Sequence, residues 1–234
     1  MTKNFFVLIS TAFLISCSPH HAILGTTYGW GDESIEVLLD AQTDKLKVRH
    51  VRMKNETCVS GYKDHLEIAG EIGPDSTEAV RRLLPQLHKC ISKSEEGFYV
   101  SNVYLSSRGG YLSDGFEMGR LFRKHSVKTK ITGGQKCLSS CAIAFLGGLF
   151  RTIEYDGELM FHAPYISSGY LSMNGGLAID CSDRGQVSDL SDYYKSVLDK
   201  KTAEYLLTRT MSYCSSRDGW TLNADGARLL GIIN

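Results

Sequence analysis

Strand-like and helix-like segments alternate along the chain from residue 66 onward, and this alternation restricts the possible folds more than any other sequence feature. Leu66–Ile72 has the pattern of a strand and ends at a Gly-Pro pair. Apolar residues then recur at helical spacing over 79–90, where Pro85 predicts a kink. Strands joined by helices in this order predict an α/β fold with a mostly parallel sheet and right-handed crossovers.

The same alternation continues to the C-terminus and predicts one domain over residues 34–234. Asp75–Glu78 has the pattern of a capping box at the start of the first helix. The other predicted segments are strands at 35–39, 46–51, 99–105, 129–132 and 152–161, and helices at 112–124, 140–147, 186–211 and 220–233. The 26 Lys and Arg residues balance the 26 Asp and Glu residues, so no basic field indicates a nucleic-acid partner.

The N-terminal sequence predicts the cellular compartment in which the protein is found. Phe5–Ile15 is an apolar run too short to span a bilayer and typical of a signal peptide. Leu14–Cys17 has the pattern of a bacterial lipobox, which predicts a signal peptide at 1–16, a lipid on Cys17 and a tether at 17–33. The protein is then anchored in the bacterial envelope facing the periplasm, and Ser18 favours the outer membrane. The alternative is an ordinary signal peptide cut near Ala22.

The remaining cysteines form an even set, which in an oxidising compartment is compatible with three disulfides. These are Cys58, Cys90, Cys137, Cys141, Cys181 and Cys214. Fifteen pairings are open, and the sequence does not choose among them. A zinc site at Cys137 and Cys141 is excluded because no second ligand pair has suitable spacing. We predict no metal and no cofactor.

Three pieces of the chain carry groups suited to acyl transfer. Ser140 stands at the start of an apolar helix, where the helix dipole favours a developing negative charge. His162 ends an apolar strand, and Gly109-Gly110 lets backbone N–H groups turn towards a cleft. Each piece also has an ordinary structural explanation, since serines often cap helices and single histidines at strand ends are more often structural.

Their order along the chain resembles a known family. The pieces Tyr104–Gly115, Ser140–Gly148, Arg151, Glu158–Pro164 and Asp218–Trp220 occur in the order seen in the Clp protease proteolytic subunit. The chain therefore resembles the ClpP/crotonase superfamily over residues 66–233, most closely its small periplasmic members with a Cys-x-Ser-x-Cys core. The resemblance implies a repeated ββα spiral with a mostly parallel sheet.

The resemblance also implies roles for individual residues. Ser140 matches the nucleophile, His162 the general base and Asp218 the acid that orients the histidine. The N–H groups of Gly109 and Cys141 match the oxyanion hole. Two features depart from the family pattern: Ser107-Arg-Gly-Gly lacks the usual proline, and Ser139 competes with Ser140 if the register slips by one residue. A disulfide between Cys137 and Cys141 would bracket the nucleophile turn, either bracing it or blocking the cleft.

The function implied is a lipid-anchored serine hydrolase of Ser-His-Asp type, with a peptide or protein as substrate. The alternative is a catalytically inactive lipoprotein that uses the fold for binding or structure in the envelope. A Ser–Lys hydrolase using Lys128, Lys130 or Lys136 is a third hypothesis, and a crotonase-type enzyme is less expected in a compartment without coenzyme A. Residues 186–213 are the segment through which a homo-oligomer would form.

Overall fold

The computed structural model describes residues 35–58, 61–91, 99–171 and 177–234. Its strands are β1 (Ile35–Gln42), β2 (Leu46–Cys58), β3 (Gly61–Ile72), β4 (Cys90–Ile91), β5 (Tyr99–Gly110), β6 (Val127–Ile131), β7 (Lys136–Leu138), β8 (Phe150–Ile153), β9 (Glu158–Phe161), β10 (Ile166–Leu171), β11 (Leu177–Asp180) and β12 (Trp220–Leu222). Its helices are α1 (Ser76–Leu83), α2 (Leu112–Lys124), α3 (Ser140–Leu146), α4 (Arg184–Val197), α5 (Lys200–Met211) and α6 (Ala224–Leu229).

The predicted α/β fold with a mostly parallel sheet is confirmed. The central strands β3, β5, β7 and β9 lie side by side in parallel, and β6 and β8 extend the parallel pairing from β5. Antiparallel strands flank this centre, with β1 and β2 beside β3 and with β12 beside β9. The carboxyl ends of the parallel strands consequently meet along one edge, which is where such sheets place their ligands.

Helix α3 lies at the centre of the core, and all seven of its residues are buried. The side chains of α3 are small or apolar on every face, and a helix of this kind is stable when protein surrounds it on all sides. The Arg151 guanidinium is itself buried and donates to the carbonyl of Leu146 at 3.0 Å, at the end of α3. It also donates to Ile232, so it ties α3 to the C-terminal segment. Burial lowers the pKa of Arg151 to about 10, which leaves the side chain charged at neutral pH.

The first helix differs from the prediction at both ends. The expected capping box does not form, because Asp75 has a left-handed φ of 69° and its side chain makes no cap. Instead, the N–H of Gly73 donates to Ser76 Oγ at 2.8 Å. The helix ends at Leu83, and Pro85 lies in a 3-10 turn over Leu84–Gln86, as its missing N–H and restricted φ explain.

Three predicted segments are divided in the structure. The strand expected over 152–161 is two strands, separated by a turn in which Asp156 has a φ of 56°. The helix expected over 186–211 is two helices, because Asp199 caps the second by accepting from the N–H of Thr202 at 3.1 Å. The helix expected over 220–233 is replaced by β12 followed by α6.

Two disulfides are present in the described part of the chain. Cys137 pairs with Cys141, and Cys181 pairs with Cys214. The predicted lipidation site, Cys17, lies outside the described residues with the whole predicted signal peptide and tether. The side chains of Cys58 and Cys90 also lie outside the described part. Within the described ranges, no helix is long and apolar enough to cross a membrane.

Candidate active site

A cleft of about 700 Å³ opens at the carboxyl ends of β5, β7 and β9, bordered by the starts of α2, α3 and α4. Both candidate serines and the candidate base reach it. Its walls are formed by Glu71, Gly110, Tyr111, Leu112, Ser113, Phe116, Ser139, Ser140, Ile143, Phe161, His162, Pro164, Tyr165, Ser167, Gln186, Asp189 and Leu190.

Ser139 occupies the turn between β7 and α3. Its backbone has φ 58° and ψ −126°, a conformation that a serine rarely adopts and that the surrounding structure must enforce. The Ser139 N–H donates to the carbonyl of Met160 at 2.9 Å, which fixes the turn to the neighbouring strand. A serine on a sharp strand–turn–helix junction is the arrangement that presents a nucleophile in other hydrolase folds. Ser139 is half-buried and borders the cleft.

Ser140, which the family resemblance favoured as nucleophile, is placed differently. Only 1% of the residue is exposed, and its hydroxyl has no hydrogen-bond partner among the described residues. Gly115 of α2 packs directly against it, so that a Cβ added there would lie 2.9 Å from Ser140 Cβ. Ser140 thus borders the floor of the cleft while its hydroxyl is withdrawn from solvent. Of the two serines, Ser139 is the more accessible.

His162 follows β9 and presents one ring nitrogen for chemistry. Its Nδ1 lies 2.8 Å from the carbonyl oxygen of Ala163. Because a carbonyl only accepts, Nδ1 carries the proton, and Nε2 of the neutral ring is left as the basic nitrogen. Burial lowers the pKa of His162, while the Ala163 carbonyl opposes this shift by raising it. The imidazole is therefore neutral at pH 7, as a general base must be.

The strand register brings Ser139 and His162 to the same end of the sheet. Leu138 of β7 pairs with Met160 of β9 in parallel, so both residues follow adjacent strand ends and border one cleft. Among the described residues, no hydrogen bond joins either serine hydroxyl to His162. Hydrogen bonds of this kind are often long or absent in free enzymes and tighten when substrate binds.

Asp218, predicted to orient the histidine, is not brought into contact with it. The side chain is exposed, and its Oδ2 accepts from Ser215 Oγ at 3.5 Å. The Asp218 N–H donates to the same hydroxyl at 3.0 Å, so the residue belongs to a local turn. The position at His162 Nδ1 that the aspartate would occupy is taken by the Ala163 carbonyl.

The predicted oxyanion donors differ in availability. The Gly109 N–H donates to Ser107 Oγ at 3.0 Å and is engaged. Gly109 has a φ of 90° and lies so close to the serine turn that an added Cβ would be 2.6 Å from Ser139 Cβ. Its part in this structure is to let β5 approach that turn. The Cys141 N–H lies in the first turn of α3, where backbone donors lack intrahelical acceptors.

The Cys137–Cys141 disulfide bridges the turn without occupying the cleft. Its Cα atoms are 5.1 Å apart, and both cysteines are completely buried. Neither cysteine borders the cleft, so the pair braces the turn from the core side. None of Lys128, Lys130 and Lys136, the candidates for a Ser–Lys hydrolase, lines this cleft.

Comparison with known proteins supports the fold. No family model matches the sequence, and no curated protein does. A serine-to-alanine mutant of the 1510-N membrane-bound stomatin-specific protease matches with a TM-score of 0.52 and 14% identity over 70% of this chain and 73% of that chain. A lysine-to-alanine mutant of that protease with a substrate peptide has a TM-score of 0.47 and 16% identity, covering 70% and 71%. An asparagine-to-aspartate mutant of ClpP1 from Listeria monocytogenes has a TM-score of 0.46 and 14% identity, covering 70% and 85%. The first of these matches, with a TM-score of 0.52, supports the predicted ClpP/crotonase-like fold.

Proposed function

We propose that this chain, which has the ClpP-like fold, is a serine hydrolase, specifically a peptidase, with Ser139 as nucleophile and His162 as general base. The observation that carries the proposal is the serine turn, residues 137–141: Ser139 has a positive φ of 58° at a strand–helix junction, and it borders the same cleft as His162. This choice replaces Ser140, whose hydroxyl is buried against α2.

The mechanism follows from the free nitrogen of His162. Ser139 Oγ attacks the scissile carbonyl carbon while Nε2 accepts the hydroxyl proton. Nδ1–H stays bonded to the Ala163 carbonyl, which holds the ring in the productive tautomer. The imidazolium then donates its proton to the leaving amine as the C–N bond breaks. Water attacks the acyl-enzyme while Nε2 takes its proton; the imidazolium then returns a proton to Ser139 Oγ as the ester C–O bond breaks and the acid product leaves.

Backbone donors are proposed to stabilise the oxyanion. The first N–H groups of α3, including that of Cys141, follow Ser139 directly in the chain and lack intrahelical acceptors, so they are the proposed donors to the oxyanion. A neutral carbonyl, rather than a carboxylate, accepts from Nδ1, so the imidazolium gains less stabilisation than in a Ser-His-Asp triad. Asp218 has no part in this mechanism.

We further propose the location that the N-terminal sequence indicates. A lipid on Cys17 would anchor the domain to a bacterial envelope membrane, facing the periplasm and favouring the outer membrane. Mass spectrometry of the N-terminal peptide from membrane fractions tests this proposal. A diacylglyceryl mass on Cys17 that is lost in Cys17→Ser supports it, and an unmodified N-terminus at another residue contradicts it.

Fluorophosphonate labelling tests the catalytic assignment with a matched pair of variants. Ser139→Ala removes the proposed nucleophile, whereas Ser140→Ala removes the adjacent buried hydroxyl and leaves the backbone in place. We expect the wild type and Ser140→Ala to be labelled and Ser139→Ala to be unlabelled. Labelling that persists in Ser139→Ala and is lost in Ser140→Ala contradicts the assignment.

A catalytically inactive binding protein is the second candidate, and two observations favour it. No hydrogen bond joins a serine hydroxyl to His162 in the described part of the chain, and the Asp218 carboxylate accepts from Ser215 instead of from the ring. This candidate predicts that a folded wild-type protein binds peptides in the cleft but is never labelled by a fluorophosphonate. Labelling of the wild type at Ser139 excludes it.

A further inference from the structure

The cleft has an apolar floor and a one-sided charge at its rim. Four nearly buried side chains form the floor: Phe116, Ile143, Phe161 and Leu190. Among the described residues that line the cleft, the charged side chains are two carboxylates, and neither Lys nor Arg is present. A peptide bound there therefore meets apolar surface below and negative charge at the edge.

The two carboxylates are not equivalent. The Glu71 carboxylate already has a cationic partner, because it forms an ion pair with Lys45 at 3.0 Å. Asp189 is exposed on α4 and has no hydrogen bond or ion pair with any described residue. The uncompensated charge at the rim is thus that of Asp189.

Asp189 is held in place by neighbouring anchors. Leu190, the next residue of α4, is 1% exposed and packs in the core. One turn later, the Tyr193 hydroxyl donates to the Ile143 carbonyl of α3 at 2.9 Å. Helix α4, which carries Asp189, is thereby fixed to α3, which begins beside Ser139. Because the backbone that carries Asp189 is fixed, only the side chain must be ordered to pair with a ligand cation, which limits the entropic cost.

We infer that Asp189 selects peptides that carry a lysine or arginine next to the apolar side chain bound by the cleft floor. The inference rests on the proposed function for the nature of the ligand and adds the charge preference. The apolar side chain would contact the floor, and the neighbouring cation would lie at the rim against Asp189. Because the carboxylate is exposed, the preference is modest and weakens as salt is added.

Peptide binding to the Ser139→Ala full chain, solubilised in detergent, tests the preference without requiring hydrolysis. The probes are short fluorescein-labelled peptides with a central leucine, identical except for a neighbouring Lys, Gln or Glu. Fluorescence anisotropy at low salt should show the Lys peptide binding about two- to fivefold tighter than the Gln peptide. The Glu peptide should bind more weakly than either.

A second pair of variants identifies the carboxylate. Asp189→Asn should abolish the Lys-over-Gln preference, whereas Asp192→Asn should retain it. Asp192 is the matched control because it is an exposed aspartate on the same helix that does not line the cleft. The inference is overturned if the preference is absent, if it survives Asp189→Asn, or if none of the peptides binds.

Hydrolysis of the same peptides by the wild type separates this inference from the proposed function. Selective binding without hydrolysis leaves the charge preference standing and contradicts the hydrolase. Hydrolysis at equal rates for the Lys, Gln and Glu peptides, together with equal affinities, supports the hydrolase and overturns the role of Asp189.

Discussion

The serine turn and the aspartate loop, residues 212–219, were both expected to supply the catalytic centre, yet they are built differently. The serine turn lies between a strand and a buried helix, is bridged by the Cys137–Cys141 disulfide and is packed against Gly109. The aspartate loop is largely exposed; the Cys181–Cys214 disulfide also ties it down, and near Asp218 it is held by Ser215, whose hydroxyl accepts from the N–H groups of Arg217 and Asp218.

The difference shows which of the proposed catalytic groups the fold brings together. Ser139 and His162 follow adjacent parallel strands, so the sheet itself brings them to one cleft. Asp218 belongs to a connecting loop, and its side chain satisfies a local turn instead of the histidine. The orienting acceptor for His162 is supplied by its own neighbour, Ala163. A serine–histidine pair oriented by backbone is therefore the arrangement that this structure supports.

Substitutions at His162 and Asp218 should differ most strongly in their effect on activity. His162→Ala removes the general base and should lower kcat/KM by about 10²- to 10⁴-fold. Asp218→Asn removes an exposed charge and should lower it by less than about threefold. Peptide hydrolysis assays on both variants, with thermal unfolding as the folding control, measure this. Equal losses would restore Asp218 to the catalytic centre.

The two disulfides should have opposite rankings in stability and activity. The Cys181–Cys214 bridge closes a much longer loop, with a sequence separation of 33 against 4 for Cys137–Cys141. On loop entropy, the Cys181→Ala/Cys214→Ala double variant should lose about 4 kcal/mol of unfolding free energy, and Cys137→Ala/Cys141→Ala about 2 kcal/mol.

The loss of activity should be larger in Cys137→Ala/Cys141→Ala than in Cys181→Ala/Cys214→Ala, because the shorter bridge braces the serine turn. Denaturant unfolding and peptide hydrolysis on the two double variants measure both quantities. If the Cys137→Ala/Cys141→Ala variant remains folded and fully active, the bridge is not needed to position Ser139.

A substitution at Gly109 tests whether the close approach of β5 to the serine turn stabilises the protein. In Gly109→Ala the new Cβ would lie 2.5 Å from the Leu138 carbonyl oxygen at a φ of 90°, so we expect a loss of about 2–3 kcal/mol in unfolding free energy. Gly134→Ala is the matched control, since Gly134 also has a positive φ, 71°, but an added Cβ meets no atom within 4 Å. It should lose about 1 kcal/mol. Equal losses in denaturant unfolding would show that the contact with the turn is unimportant.

The smallest effect concerns the pH profile. His162 must be neutral to act as a base, and burial lowers its pKa, so activity should decline only as the pH falls through a midpoint below the ordinary 6.5. The Tyr165 ring lies 5.6 Å from the imidazole ring. Tyr165→Ala should expose His162, relieve its desolvation and raise the midpoint. A kcat/KM profile whose midpoint stays in place or falls in Tyr165→Ala would exclude this cause.

The sequence predicts the scaffold better than the site. Apolar periodicity predicts helix α2 at the bounds observed, Leu112–Lys124, because its pattern is long and its ends are clear. The boundary between neighbouring helices is missed: the two helices at 184–211 appear as one in the sequence, since the Asp199 cap interrupts the pattern without a glycine or proline. Such local signals are weak in a single sequence.

The nucleophile predicted from the sequence, Ser140, and the one proposed from the structure, Ser139, differ by one residue for a similar reason. The family pattern matched Ser140 through the helix that follows it, whereas the backbone conformation of Ser139 depends on how β7 meets α3. One signal was present, because the serine of a Cys-x-Ser-x-Cys core falls at position 139. The carbonyl of Ala163 as the acceptor for His162 has no side-chain signature and follows only from the structure.

Mapping the fluorophosphonate adduct tests the central claim most directly. Trypsin should release Cys137–Arg151 from the reduced, labelled wild-type protein, and fragmentation of this peptide distinguishes its two serines. The adduct should lie on Ser139, and His162→Ala should form it far more slowly. An adduct on Ser140, or one that forms at an unchanged rate without His162, would contradict the account.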